Sequence, residues 1–203
     1  MASTDVDICN LALGIIGDKR IQSMTERSVE AVECGRFYGQ ALDESLEAYD
    51  WPFARSFARA VAPSGVDILP GYASAFAWPK DAIAIRGIAR SMRGEAAPEF
   101  VMGSISGKDD GDLQVIYTNH AGAYLAYTRR VTDPRLFTPL FVSALAAKLA
   151  FYLAMPLKKS ASDRDRAEKL FDKTIEQAAV SVANQGRNSL PADVAPDWIA
   201  ARG

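Results

Sequence analysis

The stretch Leu136-Phe-Thr-Pro139-Leu-Phe-Val-Ser-Ala-Leu-Ala-Ala-Lys148-Leu-Ala-Phe-Tyr-Leu-Ala-Met-Pro156-Leu157 is the most apolar run in the chain, and its reading decides the fold. By length it could cross a hydrocarbon layer of about 30 Å. A lysine at its middle would cost ~2.5–3.5 kcal/mol at a bilayer centre, and the two prolines and the many alanines suit a packed helix better. The segment therefore predicts the central helix of a bundle. Thr132-Asp133-Pro134 precedes it, a cap followed by proline at the first helical position, so the helix is expected to start there.

Helical periodicity continues on both sides. Ser160-Ala-Ser-Asp163 caps a following helix in which Ala167, Leu170, Phe171, Thr174, Ile175, Ala178 and Val182 share one face until Asn184-Gln-Gly186. Towards the N-terminus, Ile8, Leu11, Ala12, Ile15 and Ile16 predict a helix from Thr4 to Gly17. A longer one follows the caps between Ser23 and Ser28. Its apolar stripe is Val29, Val32, Cys34, Phe37, Tyr38, Ala41, Leu42, Leu46 and Tyr49, and Trp51-Pro52 stops it, because proline disfavours helical geometry in the residue before it. Residues Phe53 to Ala62 read as one more short helix.

Between these halves the period drops to two. Ile83 and Ile85, Phe100 and Met102, then Leu113, Val115 and Tyr117, then Ala123, Leu125 and Tyr127 alternate as half-buried strands do. Gly107-Lys-Asp-Asp-Gly111 and Asn119-His-Ala-Gly122 are the expected hairpin connections. The expected fold class is α+β, mainly α. It comprises a bundle of about four long helices over 1–62 and 132–186, an inserted antiparallel sheet over 63–131 and an extended tail over 187–203.

Composition narrows the function classes. The 203 residues are 49% apolar and 24% charged, enough for a core without disulfides or metal. A net charge of -2 disfavours dedicated nucleic-acid binding. The N-terminus lacks a signal-peptide pattern, and Cys9 and Cys34 on apolar helix faces suit a reducing compartment. His120 is the only histidine, which removes zinc sites built on paired histidines. It sits in an expected turn with no orienting partner. Gly103-Ser-Ile-Ser-Gly107-Lys-Asp109 has three residues between its glycines and aspartate after the lysine, so it fails as a phosphate-binding loop. Asp109, Asp110 and Asp112 lack the further ligands of a calcium loop. No catalytic, cofactor or metal residues are expected. The alternatives are a glycan-cleaving enzyme using paired carboxylates and a membrane-associated helical protein using Leu136 to Leu157.

Charge is unevenly spread. Between Glu26 and Asp50 seven acids face two bases, a balance of -5, and between Arg129 and Lys169 nine bases face four acids, a balance of +5. Two complementary surfaces suit contact between neighbouring copies, with Glu30, Glu33, Glu44 and Glu47 meeting Arg129, Arg130, Arg135, Arg164 and Arg166. The same charges could instead meet inside one chain. The tail carries Leu190, Pro191, Val194, Trp198 and Ile199, side chains of the kind that anchor interfaces.

Several segments together resemble one family: Ile8-Cys-Asn10-Leu-Ala-Leu13-Gly-Ile-Ile-Gly17 with Ile21-Gln-Ser23, Trp51-Pro-Phe53-Ala-Arg55, and Tyr127-Thr-Arg-Arg-Val131-Thr-Asp133-Pro-Arg-Leu-Phe137. The pattern is similar to that of the tail tubular protein A family, the head-to-tail adaptors of bacteriophages, from residue 4 to about 185. The resemblance implies a helical bundle with an inserted β element, assembled as a ring, commonly of twelve copies. The ring would sit at the head–tail junction of the virion, after synthesis in the host cytoplasm. It implies a portal protein bound through the C-terminal segment, a next tail, nozzle or stopper protein beyond the inserted loops, and genome DNA passing through without specific binding. It implies no membrane and no catalysis.

Overall fold

The chain runs α1 (Asp5–Ile15), α2 (Val29–Ala48), β1 (Arg55–Arg59), β2 (Ser74–Ala77), β3 (Ala82–Ala89), β4 (Phe100–Gly107), β5 (Gly111–Thr118), β6 (Tyr124–Arg129), α3 (Pro139–Leu153) and α4 (Ala161–Arg187). These elements belong to a computed structural model that describes residues 4–63, 68–89, 99–107, 111–120 and 124–187. The tail residues Leu190, Pro191, Val194, Trp198 and Ile199 lie outside the described residues.

Helix α3 is buried on almost every side, through Phe141, Leu145, Leu149, Leu153 and the alanines 144, 146, 147 and 150. A helix apolar all round must be covered all round. Here α1, α2 and α4 pack against it. With the π-helical turn Ala154–Lys158 it is long and apolar enough to cross a membrane, with mean hydropathy 1.8. The bundle helices cover that surface instead. Its start differs from expectation. Asp133 and Pro134 open only a 3₁₀ turn, Pro134–Leu136, and the α-helix begins at Pro139 under the Thr138 cap. A residue before proline avoids helical ψ, so Thr138 breaks the continuity.

The other helices begin as read. Thr4 and Asp7 form a reciprocal capping box on α1, Ser28 caps α2, and the Ser160 hydroxyl accepts from the Asp163 amide at the head of α4. α4 passes through Gly186 to Arg187, since a single glycine costs a helix only about 1 kcal/mol. Three of the apolar stripes were read too wide: in α1, Leu11 is exposed. Val29 and Val32 are 65% and 59% exposed, not in the core. At about 100° per residue Val29 points away from Ala31 and Cys34, the buried residues of the first turns of α2. Leu170 is likewise 40% exposed on the shoulder of α4.

The segment expected as a short helix, Phe53 to Ala62, contains β1. Arg55, Phe57 and Arg59 alternate with Ser56 and Ala58, and the strand pairs antiparallel with β6 from Arg55↔Thr128 to Arg59↔Tyr124. The expected single sheet is two three-stranded sheets, ordered β1-β6-β3 and β2-β5-β4. β4 and β5 do form the expected hairpin, with Gly107 opposite Gly111, although residues 108–110 lie outside the described residues. The other expected hairpin connection, Asn119 to Gly122, lies partly outside the described residues, but the strands it was to join are not paired: β5 belongs to one sheet and β6, between β1 and β3, to the other. Phe76 and Ile116 of one sheet pack with Ile88 and Leu125 of the other. Helix makes up about 50% of the chain and strand about 22%, so the fold is α+β with a larger β share than expected.

Arg86 joins the two parts. The β3–β6 register slips between Ile85 and Gly87, leaving Arg86 as the extra residue of a bulge. Its Nε donates to Thr128 Oγ1 at 2.8 Å, and its Nη2 donates to the carbonyls of Leu46, Glu47 and Tyr49 at 3.1, 2.8 and 3.0 Å. These carbonyls end α2, where a cation complements the helix dipole.

Candidate functional site

The charged surfaces of α2 and of the segment 129–169 are the candidate site, and the structure divides them into a closed seam and open faces. The closed part lies between α2 and α3. Glu44 accepts from Tyr152 Oη at 2.5 Å and from Gln40 Nε2 at 3.0 Å, and its other oxygen lies 2.8 Å from Lys148 Nζ. Burial would raise the Glu44 pKa, but the Lys148, Tyr152 and Gln40 donors outweigh it, so the carboxyl stays below its ordinary range. Tyr152 is pushed up to about 12, by burial first and then by its hydrogen bond to Glu44. The Tyr152 ring stacks on Phe37 at 5.4 Å, and Lys148 Nζ lies 5.1 Å from the Phe171 ring centre. Nearer the sheet, Arg130 grips Asp43 with two bonds of 2.7 and 3.0 Å.

The aromatic segment Trp51-Pro-Phe53 ends the same seam. Trp51 is buried, donates from Nε1 to the Ser45 carbonyl at 2.8 Å, and meets Phe141 edge-on at 5.0 Å. Phe53 meets both Phe137 and Phe141. Asn10 works similarly at the other end of the bundle. Its side chain accepts from the Ile21 amide at 2.8 Å and donates to the Ile21 carbonyl at 3.0 Å, which ties the α1–α2 connection to α1.

Several residues expected at a subunit interface are therefore engaged within the chain. Besides Glu44 and Arg130, Arg135 holds Asp133, Arg164 lies 4.4 Å over the Phe151 ring, and Arg166 bonds the Ile15 carbonyl and lies 3.3 Å from Asp163. Arg129 is half-buried and donates from its backbone to the Ala54 carbonyl. Glu30 and Glu47 stay open, whereas the Glu33 side chain is only 17% exposed. Among the described residues Glu30 and Glu47 make no ion pair, and Glu33 reaches Arg36 only at 3.8 Å, with its Oε2 buried and without a hydrogen-bond partner.

Sequence reasoning counted Asp43, Lys148 and Lys169 in the two charged surfaces but did not see Asp43 and Lys148 as seam residues, and it left Lys173 out. Lys148 carried a signal, a lone cation in an apolar helix that requires a partner within reach. On α4 the exposed residues at spacings of three and four are Arg166, Lys169, Leu170, Lys173, Gln177 and Val180. Asp165 and Glu176 lie at the same spacings, so this face mixes acids with bases, and Lys169 and Lys173 make no ion pair among the described residues.

The remaining chemistry-bearing groups gather no site. Cys9 and Cys34 are free, buried thiols; Cys9 donates to Met24 Sδ at 3.5 Å, and the neighbouring Cys34 thiol together with burial pushes the Cys9 pKa up. His120 is exposed at the end of β5, where its backbone amide donates to Thr118 Oγ1. No group of three or more metal-ligating side chains occurs among the described residues, and Asp109 and Asp110 lie outside them. The sequence matches no protein-family profile and no curated protein.

Proposed function

We propose that this chain is a structural virion protein, a head-to-tail adaptor that packs side by side with its own copies into a ring between the portal and the tail. The ring, with twelve copies as the expected number, extends the channel through which the genome passes. One observation carries the reading. Helices α2 and α4, which both pack against α3, leave apolar side chains in water, Val29 and Val32 beside Glu47 on one and Leu170 and Val180 among both acids and bases on the other. A closed ring needs a face that meets a different face on the next copy, and complementary charge sets the register of such a contact. The segment resemblance, Asn10 with Ile21 and Trp51-Pro-Phe53 among its residues, points the same way. A net charge of -2 suits a conduit, because each phosphate contact would add salt-dependent hold on the DNA.

The tail residues Leu190, Pro191, Val194, Trp198 and Ile199 would dock on the portal protein, and the loops of the β sandwich would face the next tail component. Deleting residues 187–203 is expected to leave the melting temperature unchanged and to abolish co-sedimentation with portal rings. Co-sedimentation at the full-length level would refute the assignment of the tail.

A further inference from the structure

Near the end of α4 a groove of about 330 Å³ opens between Pro52, the α3 start at Pro139 and Leu140, and the arc Ala178, Ser181 and Val182 of α4. Among the described residues no charged side chain lines it. Pro52 and Pro139 are exposed and Leu140 and Val182 half-buried, so apolar surface meets water there. A groove of this size and lining fits a pair of apolar side chains and penalises a charge.

The chain itself supplies the nearest occupant. From Val182, α4 continues to Arg187, about 7.5 Å of helix, and sixteen residues follow it. Asn188 and Ser189 are polar, and Leu190-Pro191-Ala192 is the first apolar run after them. Three extended residues span about 10 Å, so Leu190 can return from Arg187 to the level of Val182. Pro191 disfavours helical geometry in Leu190, which predicts that the chain has left the helical path by that residue. The later apolar residues suit an uncharged groove less well, because Asp193 adjoins Val194 and Asp197 adjoins Trp198. A segment on so short a tether meets the groove at an effective concentration on the order of mM.

We infer that Leu190 and Pro191 of the chain's own tail seat in this groove when the chain is alone. The inference goes beyond the ring reading and is tested without it; where that reading holds, the portal takes the tail over from this seat. A seat that must release its occupant is shallow, so the melting temperature does not report it and the readout has to be local.

The test is cross-linking within the full chain. Ser189→Cys is combined in turn with Val182→Cys, Val180→Cys or Ala183→Cys, and disulfide formation under oxidised glutathione is followed by mass. Val182 lies on the groove arc, whereas Val180 and Ala183, both exposed, fall away from it at about 100° per residue. Ala183 is nearer to Ser189 in the chain and Val180 is farther, so tether length cannot favour position 182 over both. Cys9 and Cys34 are buried, and Ser189→Cys alone controls for reaction with them. The expected rate at position 182 is at least tenfold above both others, and it falls to their level when Leu190→Asp puts a charge into the groove. Equal rates at the three positions would overturn the inference. So would a preference for position 182 that survives Leu190→Asp, or a disulfide that joins two chains instead of closing within one.

Discussion

Helix α2 has two sides that use the same kinds of residue to different ends. Towards α3, Asp43 and Glu44 are matched at 2.7–2.8 Å by Arg130 and Lys148, with Tyr152 and Gln40 completing the hydrogen bonds of Glu44. Away from α3, Val29 and Val32 are exposed, and the Glu47 side chain makes no ion pair among the described residues. The difference teaches that charge balance along a sequence reports how much complementarity exists, while only the packing tells which part of it is already spent. Half-buried charges have to be paired because desolvation penalises them, and exposed ones gain only ~0–1 kcal/mol from pairing within a monomer, which leaves them free for a partner.

Breaking the closed side has the larger consequences. Trp51→Ala removes the buried ring that holds the end of the seam against Phe141 and leaves the Ser45 carbonyl without its donor. It should cost about 3–5 kcal/mol in urea denaturation, as large-to-small aromatic substitutions in cores do. A loss under ~1 kcal/mol would show that the seam does not depend on this pin. Lys148→Met keeps an unbranched apolar side chain but removes the ammonium over Phe171 and leaves Glu44 half-buried without its cation, at a cost of about 1–2 kcal/mol. Lys173→Met, the same change on the open face, should move stability by less than about 0.5 kcal/mol. Equal losses at the two positions would erase the distinction between the faces.

Acid titration sharpens the same contrast. The folded state holds the Glu44 pKa below its ordinary value of 4.5, so the stability it supplies is complete above that pH and is lost as pH falls through the lower, folded value. Glu44→Gln should therefore flatten the acid limb of a stability-versus-pH curve below about pH 4.5.

The starts of α1, α2 and α4, the Trp51-Pro52 stop, the apolar central helix and the β4–β5 turn were legible in the sequence because each is fixed by neighbours a few residues away. Strand β1 was not. Its partner β6 lies some seventy residues further on, and nothing local tells that Phe57 is an exposed strand residue rather than a helical one. The division into two sheets was hidden for the same reason. Arg86 looked like an ordinary strand charge, and its hold on three carbonyls of α2 depends on a bulge that only the register of β3 against β6 creates. At the candidate site the sign of each surface was legible, but Val29, Val32 and Leu170 read as core because a wide apolar stripe does not say where the packed arc ends.

The most direct measurement of whether the open faces meet in a second copy is the salt dependence of the full chain's mass in solution, followed by sedimentation velocity over rising protein concentration. The account predicts a monomer giving way to one closed assembly of fixed mass at low salt, and a return to monomer near 1 M salt, where screening shortens to about 3 Å. A chain that remains monomeric throughout, or an assembly indifferent to salt, would contradict it.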